Sequence, residues 1–281
     1  MNNHQAMLAE TTESVVCQKL VDGHFIRAEA RVVVERELPV FLNGKHLITA
    51  SITTGMEREF VTGYLFGQGF MESAAELESI HIEDNAARVL LKDTRKASQI
   101  PQKTEYRIVT GGGSIAFFDA MNLPEIKTRL KIGKKEIFKA MNTVFEKAEI
   151  YPATEGAHAS GLFTPEATPI CIAEDIGRHN TLDKVIGYAL IHKIDCRRTF
   201  LASTGRMASE MVTKICRAGI PVVATKTAVT QSGLEIGKKC GLTMIGFVRD
   251  TGNRINTDME VRIIMEPGMK IYTHAERISG E

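Results

Sequence analysis

No C-x-x-C pair occurs anywhere in the 281 residues, and the five cysteines (Cys17, Cys171, Cys196, Cys216, Cys240) form an odd, widely spaced set. A disulfide framework and a zinc knuckle both need paired, closer spacing, so neither is expected. Long apolar runs are missing too: none approaches the ~18 residues that a membrane helix needs, and no membrane partner is expected. Residues 1–7 lack a basic region followed by an apolar segment, so no secretion signal is read and a cytoplasmic location is expected. Charge of one sign is also lacking. Thirty-five basic and 34 acidic residues leave a net +1, which gives no bulk attraction to nucleic acid.

What remains is an ordinary globular composition, 43% hydrophobic and 25% charged, in a chain long enough for one large or two ordinary domains. Residues 1–14 read as a polar tail. Strand-like segments at 14–20, 30–34 and 38–48 follow, and Asn43-Gly44 between apolar runs is a hairpin signal. Residues 15–50 are therefore expected to form a small antiparallel sheet. Met56, Phe60, Val61, Tyr64 and Leu65 have helical spacing, stopped by Gly67 and Gly69. Strand and turn signals return at 80–85 and 88–91. The polar stretch 92–105, with Pro101, marks the expected boundary between a smaller β-rich part, 15–105, and an α/β domain, 106–281.

A strand at 106–109 runs into Gly111-Gly112-Gly113-Ser114, which fits either an anion-binding nest or a simple turn. It matches neither G-x-x-x-x-G-K-[ST] nor G-x-G-x-x-G, so it carries no nucleotide fingerprint. From 168 onward strands at 169–174, 199–203, 221–225 and 242–248 alternate with helices at 179–192, 207–218 and 229–240. Such alternation predicts an α/β layer with parallel pairings. Ligands of open α/β sheets bind beyond the carboxyl ends of the strands.

The four loops at those ends each hold a cation beside glycine or hydroxyl residues. The first, Glu174-Asp175-Ile176-Gly177-Arg178-His179-Asn180, is a strand-to-helix corner where a helix dipole favours anions, although Asp175 or Asn180 could equally serve as a helix cap. The second contains Ser203, Gly205 and Arg206, and the third Lys226 and Thr227. The fourth is Phe247-Val248-Arg249-Asp250-Thr251-Gly252. Arg grips phosphate oxygens bidentately while Ser and Thr donate alongside, so four such loops at one edge predict a pocket for a polyphosphate or large anionic cofactor. His158, among small residues, reads as packed or as a further candidate.

The same loops resemble the FdhD-type formate dehydrogenase accessory proteins, a sulfur carrier family. The likeness rests on Glu174 to Asn180 with Asp183-Lys184-Val185-Ile186-Gly187, and on Ser203 to Glu210 as S-x-G-R-x-x-S-E. It extends to Ala218-Gly219-Ile220-Pro221, Gly246-Phe247-Val248-Arg249 and Ile271-Tyr272-Thr273-His274, and spans about residues 15 to 278. The resemblance implies a cytidine deaminase-like three-layer α/β/α domain joined to a smaller β-rich part, and a homodimer. It implies binding of the molybdenum (or tungsten) bis-molybdopterin guanine dinucleotide cofactor, for which GDP is a mimic, at Phe247 to Gly252. Sulfur would come from a cysteine desulfurase as a persulfide and pass to the cofactor destined for formate dehydrogenase.

Where that family carries its C-x-x-C, this chain reads Gly113-Ser114-Ile115-Ala116. A persulfide needs a thiolate, which none of these can supply. Cys171 and Cys216, on apolar strand and helix faces, read as inert packing. The resemblance therefore admits a second reading, a non-catalytic cofactor-binding chaperone. Zinc deamination is not expected, because His158-Ala159-Ser160 lacks the glutamate of H-x-E. An unrelated nucleotide-using enzyme would have to draw on His179, Asp175 and Asp183, whose spacing demands no catalysis.

Overall fold

Near-continuous apolar or small-residue runs bury the central strands from 158 onward on both sides, and a sheet buried on both faces needs helices on both. In the computed structural model, which describes residues 8–93, the backbone of 107–108, 123–250 and 267–280, that sheet has six strands. The strands are β9 (His158–Phe163), β10 (Pro169–Asp175), β11 (Phe200–Ser203), β12 (Val222–Thr225), β13 (Thr243–Arg249) and β14 (Gly268–Ile271), ordered β10-β9-β11-β12-β13-β14. The expected parallel pairing holds for β11-β12-β13. β9, which the sequence did not announce as a strand, inserts antiparallel between β10 and β11. Two successive reversals make β10 run the same way as β11, β12 and β13. All four cation-bearing loops therefore leave one edge.

Phe163, Phe200, Ala202, Val222, Ala224 and Ile245 point to one face, where they pack against the helix Lys134–Lys147 through Ile137, Ala140, Met141 and Val144. Leu162, Leu201, Val223 and Met244 point to the other. That face carries the helices Arg178–Ile191, Ser209–Ala218 and Gln231–Cys240. The result is three layers, α/β/α. From residue 57 onward the described α-helices, in chain order, are α1 (Glu57–Gly67), α2 (Lys134–Lys147), α3 (Ile150–Thr154), α4 (Arg178–Ile191), α5 (Ser209–Ala218) and α6 (Gln231–Cys240). Gly219 and Gly241, at φ of 72° and 73°, end α5 and α6 in the left-handed conformation that glycine tolerates.

The N-terminal part differs from the single antiparallel sheet expected for 15–50. β1 (Thr12–Val21) and β2 (His24–Val33) form a separate two-stranded ribbon turned at Asp22-Gly23. β3 (Arg36–Leu42) and β4 (Lys45–Ile52) pair through the Asn43-Gly44 turn, where both residues have positive φ. They belong to a second sheet with β5 (Leu77–Glu83), β6 (Ala86–Leu91) and β7 (Arg107–Ile108), ordered β5-β6-β3-β4-β7. β7 pairs with Thr49 and Ala50, two residues past the expected boundary at 105. Short strands β8 (Ile132–Gly133) and β15 (Ile278–Ser279) pair with each other.

α1 lies between the small sheet and α4. Gly63 and Gly187 let the two helix backbones meet, since a Cβ on either would overlap the other helix's carbonyls at Asp183 or Glu59. One buried cluster therefore runs from Leu42 and Ile48 through Leu65 and Ile186 to Leu201 and Met244. No helix among the described residues is long and apolar enough to cross a membrane.

Candidate functional site

The corner between β10 and α4 is built on buried polar groups. Asp175, fully buried, receives hydrogen bonds from the Thr53 amide (3.1 Å), the Gly177 amide (3.1 Å) and the Asn180 side-chain amide (2.8 Å). It also pairs with Lys184 Nζ at 2.7 Å. Lys184 spends its other protons on the carbonyls of Thr53 and Glu174, both at 3.0 Å. Asn180 donates to the Ser51 carbonyl as well (2.8 Å), so both its amide protons are held within the protein. Much of the motif thus fastens α4 to the end of β4. The first-turn amides of such a helix have no intrahelical partner and face the strand-end edge.

Arg178 and His179 open that first turn. Arg178 Nε is buried without a hydrogen-bond partner, and burial followed by the nearby Arg206 guanidinium holds Arg178 below its ordinary pKa. His179, 7% exposed, has Nε2 3.3 Å from a Glu210 carboxylate oxygen at the start of α5, while its Nδ1 has no partner. Beside them a buried hydroxyl relay, Thr181–Ser160–Ser203, runs at 2.8 and 2.9 Å and ends on the Gly205 amide at 3.1 Å. The relay fixes the loop after β11. Gly205 fits tightly there, since a Cβ would come 2.7 Å from the Cβ of Arg178. Arg206 is exposed.

The remaining two loops are tied to this one. The Lys226 amide donates to the Ser203 carbonyl (3.0 Å) and the Phe247 amide to the Thr227 carbonyl (3.0 Å). Thr227 Oγ1 bonds Thr225 Oγ1 at 3.2 Å, and Thr225 Oγ1 donates to the Gly205 carbonyl at 2.6 Å. Lys226 Nζ sits 4.2 Å above the Phe145 ring of α2. Burial and then the neighbouring Arg249 lower its pKa. Phe247 adopts a left-handed φ of 55°, and its ring faces Arg249 at 6.0 Å and Lys270 at 4.9 Å. Val248 is buried against the α2 side, and Asp250 accepts from Asn142 at 2.9 Å. Thr251, Gly252 and the Gly111–Gly113 loop with Ser114 lie outside the described residues.

Arg178, Arg206, Lys226 and Arg249 thus come to one edge, with Ser203, Gly205 and Thr227 as the frame that spaces them. Like charge acts within two pairs of them, Arg206 on Arg178 and Arg249 on Lys226, with Glu210 partly offsetting the first. Sequence reading had no signal for Phe145 or Lys270, which arrive from distant elements. Thr204 and Glu210 sat unremarked in the S-x-G-R-x-x-S-E stretch. Among the described residues no three His, Cys, Asp or Glu side chains cluster as metal ligands.

The described thiols lie elsewhere. Burial pushes Cys171 up to about 12 and Cys196 up to about 11. Cys216 and Cys240 are buried together, the first raised by its hydrogen bond to the second, and Cys240 lowered to about 7 by the same bond. Both belong to the ends of α5 and α6 that point away from the cationic edge.

A family model described as the FdhD/NarQ family matches residues 33–279. The chain is 32% identical over 270 residues to the sulfur carrier protein FdhD of Sulfolobus acidocaldarius, covering 94% of this chain and 97% of that one. It is 30% identical over 262 residues to the sulfur carrier protein FdhD of Methanothermobacter thermautotrophicus, covering 92% and 95%. A crystal structure described as a formate dehydrogenase accessory protein from Desulfotalea psychrophila shares the fold, with a TM-score of 0.76 at 21% identity over 96% of this chain and 100% of that chain. Because the family model spans both sheets and all four cationic loops, the chain belongs to the FdhD/NarQ family.

Proposed function

We propose that this protein serves formate dehydrogenase by holding the molybdenum (or tungsten) bis-molybdopterin guanine dinucleotide as cargo. The phosphates of the dinucleotide would lie on Arg178, Arg206, Lys226 and Arg249. The observation that carries this reading is the crowding of these cations at one strand edge, where burial and like charge already depress Arg178 and Lys226. An anionic ligand relieves that repulsion. His179, Asn180, Ser203, Gly205, Thr227 and the segment Phe247 to Gly252 complete the proposed site. Kinship of the α/β/α layer with cytidine deaminases, a division near residue 105, a homodimer and a cytoplasmic location belong to the same proposal.

In the family role the cargo receives sulfur carried as a persulfide from a cysteine desulfurase. One observation favours the second reading, a chaperone without sulfur transfer: Gly113-Ser114-Ile115-Ala116 stands at the family's C-x-x-C. Titration with GDP tests the site. Saturable binding should weaken at least about tenfold in Arg206→Ala and in Arg249→Ala, each removing a charge-assisted contact. Absence of GDP binding to the unaltered protein would refute the site. Incubation with cysteine desulfurase and cysteine, followed by intact-mass measurement, decides the sulfur step. An added sulfur atom restores the carrier role and its position names the cysteine; an unchanged mass leaves the chaperone.

A further inference from the structure

The cationic edge holds one more group, His158, at the first residue of β9. Because β9 runs antiparallel to β10 and β11, it begins where they end, and His158 registers opposite Asp175. The ring is half-buried, and its Nδ1 is 3.2 Å from Thr204 Oγ1, in the loop that carries Arg206. The same hydroxyl accepts the Ala159 amide at 3.0 Å, and the Thr204 amide returns a bond to the Ala159 carbonyl at 2.9 Å. Thr204 is thus fixed, and the imidazole is tethered through Nδ1. Among the described residues nothing else hydrogen-bonds the ring, so Nε2 is left to meet a ligand.

We propose that His158 is a phosphate-binding residue of this edge, and that it takes up a proton as the anion arrives. The inference rests on the anion-site reading given above. Thr204 suits both protonation states, since a hydroxyl can donate to a neutral Nδ1 or accept from a protonated one. When Thr204 donates to Nδ1, or when the ring is protonated, Nε2 carries a hydrogen for a phosphate oxygen. The groups facing the ring are Arg178 and His179 from α4, Asp175 from β10, and the uncharged Thr204. Burial first, then Arg178 and His179, hold its pKa below 6.5 against the opposing pull of Asp175. His179 has the Glu210 carboxylate beside it; among the described residues no carboxylate hydrogen-bonds His158. A bound phosphate supplies the missing negative charge and shifts the balance toward imidazolium, which converts a neutral hydrogen bond into a charge-assisted one.

The test needs a ligand that does not itself titrate near neutrality, which rules out GDP with its terminal phosphate. Diguanosine pyrophosphate, a diester like the linkage in the proposed cargo, is the probe. Calorimetric titration at several pH values, each in two phosphate-free buffers of different protonation enthalpy, reads affinity and protons taken up together. Affinity should rise roughly threefold to tenfold between pH 8 and pH 6, with net proton uptake on binding. His158→Gln keeps a neutral N–H at the position of Nε2, so it should fold, bind, and show neither uptake nor pH dependence. The NMR titration of the His158 ring should move upward when the probe is bound. Binding without proton uptake in the unaltered protein would overturn the role of His158 while leaving the anion site standing. Uptake that survives in His158→Gln would place the proton on another group and also overturn it. No binding of the probe by the unaltered protein would sink the anion site itself, and His158 with it.

Discussion

Lys184 shows what the central motif does at the scale of single residues. Its ammonium is 1% exposed and meets one carboxylate and two carbonyls, as many acceptors as it has protons. Removing one partner of such a pair strands the other charge away from water. Lys184→Ala should therefore cost about 3–5 kcal/mol of stability in urea unfolding. A loss below about 1 kcal/mol, as for an exposed pair, would show that Asp175 finds other solvation. His158 adds a pH dependence of known sign. Its folded pKa lies below the ordinary 6.5, so as pH falls the unfolded chain binds the proton first. Its contribution to stability is full above pH 6.5 and declines as pH falls from there toward the folded pKa. Unfolding midpoints of His158→Gln should consequently lack part of the acid-side decline seen in the unaltered protein. At this scale the sequence was only half legible. Acidic, basic and amide residues at a strand-to-helix corner signalled a special place. That Asp175, Asn180 and Lys184 would turn to Ser51 and Thr53 could not be read, because those partners lie more than 120 residues earlier. The four cations were legible because loops after strands share an edge by topology alone.

Elements were legible where punctuation and period agreed. Asn43-Gly44 marked its hairpin, and the apolar runs of β10 to β13 with the helices between them followed the expected alternation closely. β9 escaped because its residues, His158-Ala159-Ser160-Gly161-Leu162-Phe163, are mostly small or polar. Yet Ala159 and Ser160 are fully buried, since the neighbouring strands and helices leave no room for more. The β1–β2 ribbon was only partly visible because the apolar positions between Arg27, Glu29 and Arg31 are the small Ala28 and Ala30, a weak strand signal. Two tight approaches between elements yield predictions with different readouts. Gly187→Ala would place a methyl group into the backbone of α1 at Glu59, and a backbone cannot swing aside as a side chain does. We expect a loss of more than about 3 kcal/mol, beyond ordinary overpacking, measured by chemical denaturation. Gly205→Ala instead presses on Arg178 at the mouth of the site. It should weaken GDP binding several-fold and also lower the melting temperature, because the Cβ it meets is fixed to the α4 backbone. Equal binding by this variant and the unaltered protein would mean that Arg178 can move without consequence for the ligand.

For the molecule as a whole, the issue is whether the β-rich part and the α/β part act as two bodies or one. A polar linker at 92–105 argues for two on sequence grounds. Against it stands the packing of α1 on α4, where glycine meets backbone, and a buried apolar cluster that continues from Leu42 to Met244. The Asp175, Lys184 and Asn180 bonds to Ser51 and Thr53 cross between the parts as well. Independent domains meet through modest, rather polar interfaces; here an interhelical core and buried charges are shared. Separating the parts would expose the face of α4 around Asp183 and Gly187 that α1 covers, and would take one acceptor from Lys184 and one donor from Asp175. Each part therefore depends on the other for much of its stability, and heat should unfold them together. Scanning calorimetry should give a single transition whose calorimetric and van't Hoff enthalpies agree, and fluorescence of the tyrosines should follow the same curve as far-ultraviolet circular dichroism. Lys184→Ala and Gly187→Ala, placed at the junction, should lower that one transition without splitting it. Two resolved transitions in the unaltered protein would mean that the junction is weaker than its burial indicates. In that case melting of the smaller part would take the Ser51 and Thr53 anchors from the first cationic loop and weaken ligand binding, while the other three loops kept their frame.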